Sequence, residues 1–226
     1  MTKTFNLFHI KVYIISTKPK QNMEAQIIEP NPILIEYYQL TNHLSQSLNS
    51  DLSEFLENNE WHYLQSNIEN NILLFERLKE VNILPDHLNI CDCGIGLGTV
   101  MFDLYLQSKD IKDTTFTFTG IEKYERYITT LNNQLSKYWE NNLNIIQNDI
   151  MNEDYSKYNF IYLYTPFSVD TKLMNFFQKV ITEMPEGGLV IGIDQYRIQN
   201  YGDQTLIDQF KQLKQHVLDD LVIYQK

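Results

Sequence analysis

The stretch Asp92-Cys93-Gly94-Ile95-Gly96-Leu97-Gly98-Thr99 sets a carboxylate before three alternating glycines, where an apolar run must turn into a helix. Glycine accepts positive φ without steric cost and lets backbone approach a ligand closely, and the helix start behind it presents N–H groups that lack intrahelical partners. A second carboxylate, Glu122, ends the next apolar run, where it can accept two hydrogen bonds from a ribose diol. The competing chemistry is a dinucleotide site, whose fingerprint requires glycine three residues after the second one. Position 99 is Thr99, and the charge of Asp92 beside the loop would repel a pyrophosphate while suiting an ammonium group.

These residues need strands that end beside one another. Short apolar runs at Leu88–Cys93, Phe116–Ile121, Asn144–Gln147, Asn159–Tyr164 and Leu189–Ile193 read as strands. Helix-length segments near 99–108, 124–141, 170–184 and 203–218 alternate with them, which predicts an α/β fold with a doubly wound, mostly parallel, Rossmann-like sheet. Only Leu221–Gln225 remains after the last helix for a closing strand, so the expected sheet has six or seven strands, and six would leave an open edge. Ahead of it, Asn31 caps and Pro32 starts a helix over 33–48, Ser50 or Asp51 caps a shorter one through Phe55 and Leu56, and Ser66 or Asn67 caps a third carrying Ile68, Ile72, Phe75 and Leu78. The expected organisation is a leader or edge strand over 1–30, a helical appendage or lid over 31–80, and the sheet domain over 81–226.

The D-x-G-x-G-x-G string of Asp92 to Gly98 resembles the first motif of class I S-adenosylmethionine-dependent methyltransferases. That resemblance implies S-adenosylmethionine as cofactor. It implies that Asp92, Gly94, Gly96 and Gly98 form the cradle, that Glu122 takes the ribose, and that Asp149 and Ile150 take the adenine amino group and ring. Gly120-Ile121-Glu122-Lys123 and Tyr164-Thr165-Pro166-Phe167 are similar to strand ends of a bacterial group related to the non-SET lysine methyltransferases of the disruptor-of-telomeric-silencing type. By that resemblance Tyr63 and Ser66 lie over the methionyl end, and Tyr164, Thr165 and Phe167 line the methyl-transfer side. Thr165 replaces the family's Asn and has no carboxamide with which to orient an amine.

The implied reaction is methyl transfer to a small-molecule or peptide nucleophile, and the alternative is a non-catalytic protein that keeps the fold to bind cofactor or hold a partner. A formal charge of -11, with no densely basic segment after the first twenty residues, argues against nucleic acid, whose binders neutralise phosphates with clustered Lys and Arg. A hydrophobic fraction of 43% argues against a disordered chain. Cys91 and Cys93 flank one strand residue, a separation at or beyond disulfide reach, and five scattered histidines show no zinc spacing. Buried thiols, no metal and a cytoplasmic setting are the expectation. The apolar run Phe5–Ile15 is interrupted by His9 and Lys11, too short to span a bilayer and without a cleavage site, so no membrane role is expected.

Overall fold

The computed structural model describes residues 31–48, 57, 73–164, 166–218 and 221–226. The leader, the expected helix from Ser50 or Asp51 through Phe55 and Leu56, and the start of the third expected helix lie outside them. Strands β1 (His87–Cys93), β2 (Thr115–Glu122), β3 (Leu143–Gln147), β4 (Phe160–Leu163), β5 (Leu189–Ile191), β6 (Lys214–Leu218) and β7 (Leu221–Gln225) form one sheet in the order β3-β2-β1-β4-β5-β7-β6. The first five are parallel, and β7 runs antiparallel to both β5 and β6.

Helices α1 (Pro32–Leu48), α2 (Leu74–Glu80) and α3 (Thr99–Ser108) cover one face, with α4 (Glu125–Thr130), a π turn (Leu131–Leu135) and α5 (Ser136–Trp139). Helices α6 (Asp170–Glu183), α7 (Gln195–Tyr201) and α8 (Gln204–Gln212) cover the other. Alternation along β1 divides the two cores. Leu88 and Ile90 pack under the first set of helices, and Cys91 and Cys93 under the second. Being buried on both faces, the central strands read as continuous apolar runs.

Asn31 caps α1 as its sequence predicts, its Oδ1 accepting from the Ile33 N–H at 2.9 Å. The expected helix over 203–218 stops at Gln212, and residues 214–218 form β6 instead. Leu206, Phe210, Leu213 and Val217 have helical spacing, but Val217 is 63% exposed, so the stripe loses its buried face there. Pairing of Leu218 with Leu221 and of Lys214 with Gln225 satisfies the backbone better than two more helical turns over solvent. The sheet therefore has seven strands, and the six-stranded alternative is excluded. A helix that the sequence reading passed over, α7, begins at Asp194, whose Oδ1 accepts from the Arg197 N–H at 3.0 Å.

Cys91 and Cys93 are free thiols, both buried, with Sγ atoms 3.8 Å apart, and burial pushes the Cys91 thiol well above its ordinary value. The Cys91 thiol is therefore not an activated nucleophile. No helix among the described residues is long and apolar enough to cross a membrane, and these residues hold no group of three His, Cys, Asp or Glu placed to bind a metal.

Asp103 on α3 is 5% exposed, and burial raises its carboxyl to about 7, partly offset by a hydrogen bond to Gln107. Its Oδ2 has no hydrogen-bond partner among the described residues. A carboxyl that holds its proton more tightly folded than unfolded adds stability at low pH and loses it as pH rises from about 4 to about 7. Asp103→Asn is expected to stabilise the protein by about 1–3 kcal/mol at pH 8 and far less at pH 4.5, at roughly 1.4 kcal/mol per pKa unit discounted for local relaxation. Urea unfolding of both proteins at the two pH values checks this, and an equal gain at both would refute it.

Candidate functional site

The carboxyl ends of β1, β2 and β3 converge where the strand order reverses beside β1, the place at which open α/β sheets bind ligands. Gly94, Gly96 and Gly98 all have positive φ, at 81°, 55° and 70°. The loop is anchored to β2 by the N–H groups of Gly94 and Ile95, which donate to the Ile121 carbonyl at 2.9 and 3.0 Å. Ile95 then drops onto Gly120. A Cβ on Gly120 would overlap the end of the Ile95 side chain and lie 2.9 Å from its Cβ, so glycine in mid-strand makes room for the loop. A Cβ at Gly94, by contrast, meets nothing within 4 Å.

Glu122, only 5% exposed, is the hub of the site. Its Oε2 accepts from the Gly96 N–H at 2.9 Å, and its Oε1 from the N–H groups of Lys123 and Tyr124, each at 2.9 Å. Asp92, 6% exposed, is pushed up to about 7 by burial and then by the nearby Glu122 charge. Two buried carboxylates beside a loop of backbone N–H groups form an electrostatic arrangement that a cationic ligand would relieve.

At the end of β3 the Asn148 N–H donates to the Glu122 carbonyl at 3.0 Å, tying two strand ends together. Asp149 Oδ1 accepts from the Met151 N–H at 2.9 Å, and Lys123 Nζ stands 3.8 Å from its Oδ2. Ile150 is buried at the start of the short helical turn that follows. The structure thus brings Asp92, the three glycines, Glu122, Asp149 and Ile150 to one sheet edge.

On the neighbouring strand, Tyr164 is 50% exposed at the end of β4. Phe167 lies in the core, edge-on to Phe176 at 5.6 Å and under Lys172 Nζ at 4.2 Å. Thr165, Tyr63 and Ser66 fall outside the described residues.

Two supporting groups escaped the sequence reading. Tyr37 on α1 donates its hydroxyl to the Leu97 carbonyl of the loop at 2.7 Å and accepts from Trp139 Nε1 at 3.2 Å. Gly192, with φ 93°, lets β5 pass against the Leu163 carbonyl at the end of β4. Gly192 was visible as a glycine inside the expected strand Leu189–Ile193, whereas Tyr37 had no local signal.

A family model described as PRMT5 arginine-N-methyltransferase matches residues 21–165, more than half of the chain. The chain belongs to that family. Its fold is that of the class I S-adenosylmethionine-dependent methyltransferases. A protein from Listeria monocytogenes described as such an enzyme aligns with a TM-score of 0.51 at 11% identity, covering 82% of this chain and 68% of that one. A protein from Methanococcus maripaludis, described as an S-adenosyl-L-methionine-dependent methyltransferase, aligns with a TM-score of 0.50 at 13% identity, covering 84% and 93%. No curated protein matches the chain. The family's description names arginine, so the lysine-directed resemblance rests on the short stretches 120–123 and 164–167 alone.

Proposed function

We propose that this protein uses S-adenosylmethionine to methylate a peptide-borne or small-molecule nucleophile, with an arginine guanidinium as the first acceptor to test. The observation that carries the reading is the buried Glu122 carboxylate on the Gly96 N–H beside buried Asp92, in a chain of an arginine-N-methyltransferase family. The residues fit the cofactor chemically. Glu122 would take the ribose hydroxyls, Asp149 the adenine amino group with Ile150 against the ring, and Asp92 the methionyl ammonium, which compensates a carboxylate now held near neutrality by burial. Gly94 leaves open space where the ligand must approach. Tyr63 and Ser66 would cover the methionyl end.

Bound S-adenosylmethionine supplies a methyl group on a sulfonium, a good leaving group. The protein then needs to align the acceptor and exclude water more than to move protons. Tyr164 at the end of β4 would face the acceptor, with Thr165 beside it and Phe167 backing the strand end from the core. The part of the appendage beyond α1 would serve as the lid.

Calorimetry with S-adenosylmethionine and S-adenosylhomocysteine, followed by S-adenosylhomocysteine release on arginine peptides, lysine peptides and small guanidines, tests the reading. Binding should weaken as pH falls below about 7, up to about tenfold per unit, because a protonated Asp92 must lose its proton before it can pair with an ammonium. Asp92→Asn should bind weakly at every pH with that dependence gone. Absence of binding overturns the proposal, and binding without release on any acceptor favours a partner-holding role.

A further inference from the structure

Three glycines in five residues make the cofactor loop costly to order, since each samples more backbone conformations when free than any other residue. Its first half is anchored on β2 by the N–H groups of Gly94, Ile95 and Gly96. Beyond Gly96 the chain still has to choose an orientation for the Leu97–Gly98 peptide, and Gly98, which has no side chain, offers little resistance to its rotation. That peptide is pinned at both of its polar atoms. The Gly98 N–H donates to the Ile95 carbonyl at 2.8 Å, and the Leu97 carbonyl accepts the Tyr37 hydroxyl at 2.7 Å.

Tyr37 is itself fixed. It has no exposed surface, stacks on Phe102 with ring centroids 4.1 Å apart, and its oxygen receives Trp139 Nε1–H at 3.2 Å. One turn along the same helix, the Thr41 and Thr99 hydroxyls approach to 3.4 Å, which ties α1 to the first residue of α3. Gly98 is the position over which the assembly closes, since a Cβ there would stand 3.1 Å from Trp139 Cζ2 and 3.4 Å from the Tyr37 hydroxyl. A residue 60 positions away thus shares with the Ile95 carbonyl the hold on this loop peptide.

We propose that Tyr37 is a positioning residue for the cofactor loop: its hydroxyl selects the Leu97–Gly98 peptide orientation that receives S-adenosylmethionine. The assignment rests on the cofactor reading given above. In consequence α1 acts behind the loop as a brace, and its contribution is to affinity through order rather than through contact with ligand. Removing only the hydroxyl leaves the buried Leu97 carbonyl and the Trp139 Nε1–H unmatched, and rotation of the Leu97–Gly98 peptide can relieve the first at the expense of the binding conformation.

The test compares the full chain with Tyr37→Phe, which keeps the ring, and with Leu34→Ala, which loosens the packing of α1 but leaves the hydroxyl in place. Tyr37→Phe should bind S-adenosylhomocysteine roughly tenfold more weakly by calorimetry, with a melting temperature within a few degrees of the parent. Amide exchange at residues 97–99 of the cofactor-free protein should speed up in this variant. Leu34→Ala should lower the melting temperature more, yet leave affinity within about twofold and the loop amides as protected as in the parent. Equal affinity of Tyr37→Phe and parent overturns the assignment, as does a loss in Leu34→Ala as large as in Tyr37→Phe. If the parent itself does not bind S-adenosylhomocysteine, the cofactor reading fails, and the proposal with it, while the exchange comparison still reports whether Tyr37 orders the loop.

Discussion

A Gly192→Ala variant should be barely stable. At φ 93° the backbone lies in a region that side-chain-bearing residues rarely adopt, and a Cβ would overlap the Leu163 carbonyl oxygen and sit 2.7 Å from its carbon. Neither partner can yield cheaply, because Leu163 and its neighbours are bonded within the parallel β1–β4–β5 ladder. Backbone strain and forced displacement each cost about 1–3 kcal/mol, so the sum takes up much of the 5–15 kcal/mol typical of a domain. Gly187→Ala is the matched control, since Gly187 has φ 79° but nothing within 4 Å of a built Cβ, and it should lose only the conformational part, about 1 kcal/mol. Urea unfolding of the two variants measures the difference. A Gly192→Ala protein within 1 kcal/mol of Gly187→Ala would mean that the strands slide apart freely. Any displacement that does occur also moves Tyr164, the residue after Leu163, and with it the acceptor side of the proposed site.

Glu122→Ala carries the second large effect, on affinity and on fold together. The ribose contacts proposed for this carboxylate are charge-assisted hydrogen bonds worth roughly 1.5–3 kcal/mol, or about ten- to hundredfold in dissociation constant. The structure adds a second loss. Three backbone N–H groups, of Gly96, Lys123 and Tyr124, give up their acceptor, and the glycine loop loses its tie to the end of β2. The expected result is a drop of at least a hundredfold in S-adenosylhomocysteine affinity with a lowered melting temperature. From sequence, where Glu122 stood only as a ribose acceptor, Gln is the milder replacement. With an N–H group at each oxygen that expectation changes, because the amide NH2 must face a donor at one end or the other. Glu122→Gln should therefore resemble Glu122→Ala in affinity by calorimetry. A Gln variant that binds like the parent would show that the loop closes without this carboxylate.

The sequence by itself determined the parallel sheet and the residues at its edge. Apolar runs buried on both faces and the glycine string of Asp92 to Gly98 are local patterns, and local patterns survive translation into structure because strand and turn preferences act over a few residues. The positions of Asp92, Glu122 and Asp149 at successive strand ends followed from the same rhythm. What the tertiary structure decided were contacts between segments far apart in the chain. Residues 206–217 carry a helical stripe, yet the last of them became β6, because pairing with β7 was available only once β5 had placed β7 beside it. Phe167 sits in a run that reads as a site wall, and packing against Phe176 turned it into the core. Asp92 titrates near 7 only because folding removes water from it and sets Glu122 beside it. Tyr37 reads as one apolar position of an amphipathic helix. Its hydroxyl gains a role when folding brings Leu97 and Trp139 to it, since hydrogen-bond partners 60 and 102 residues away leave no trace in local composition.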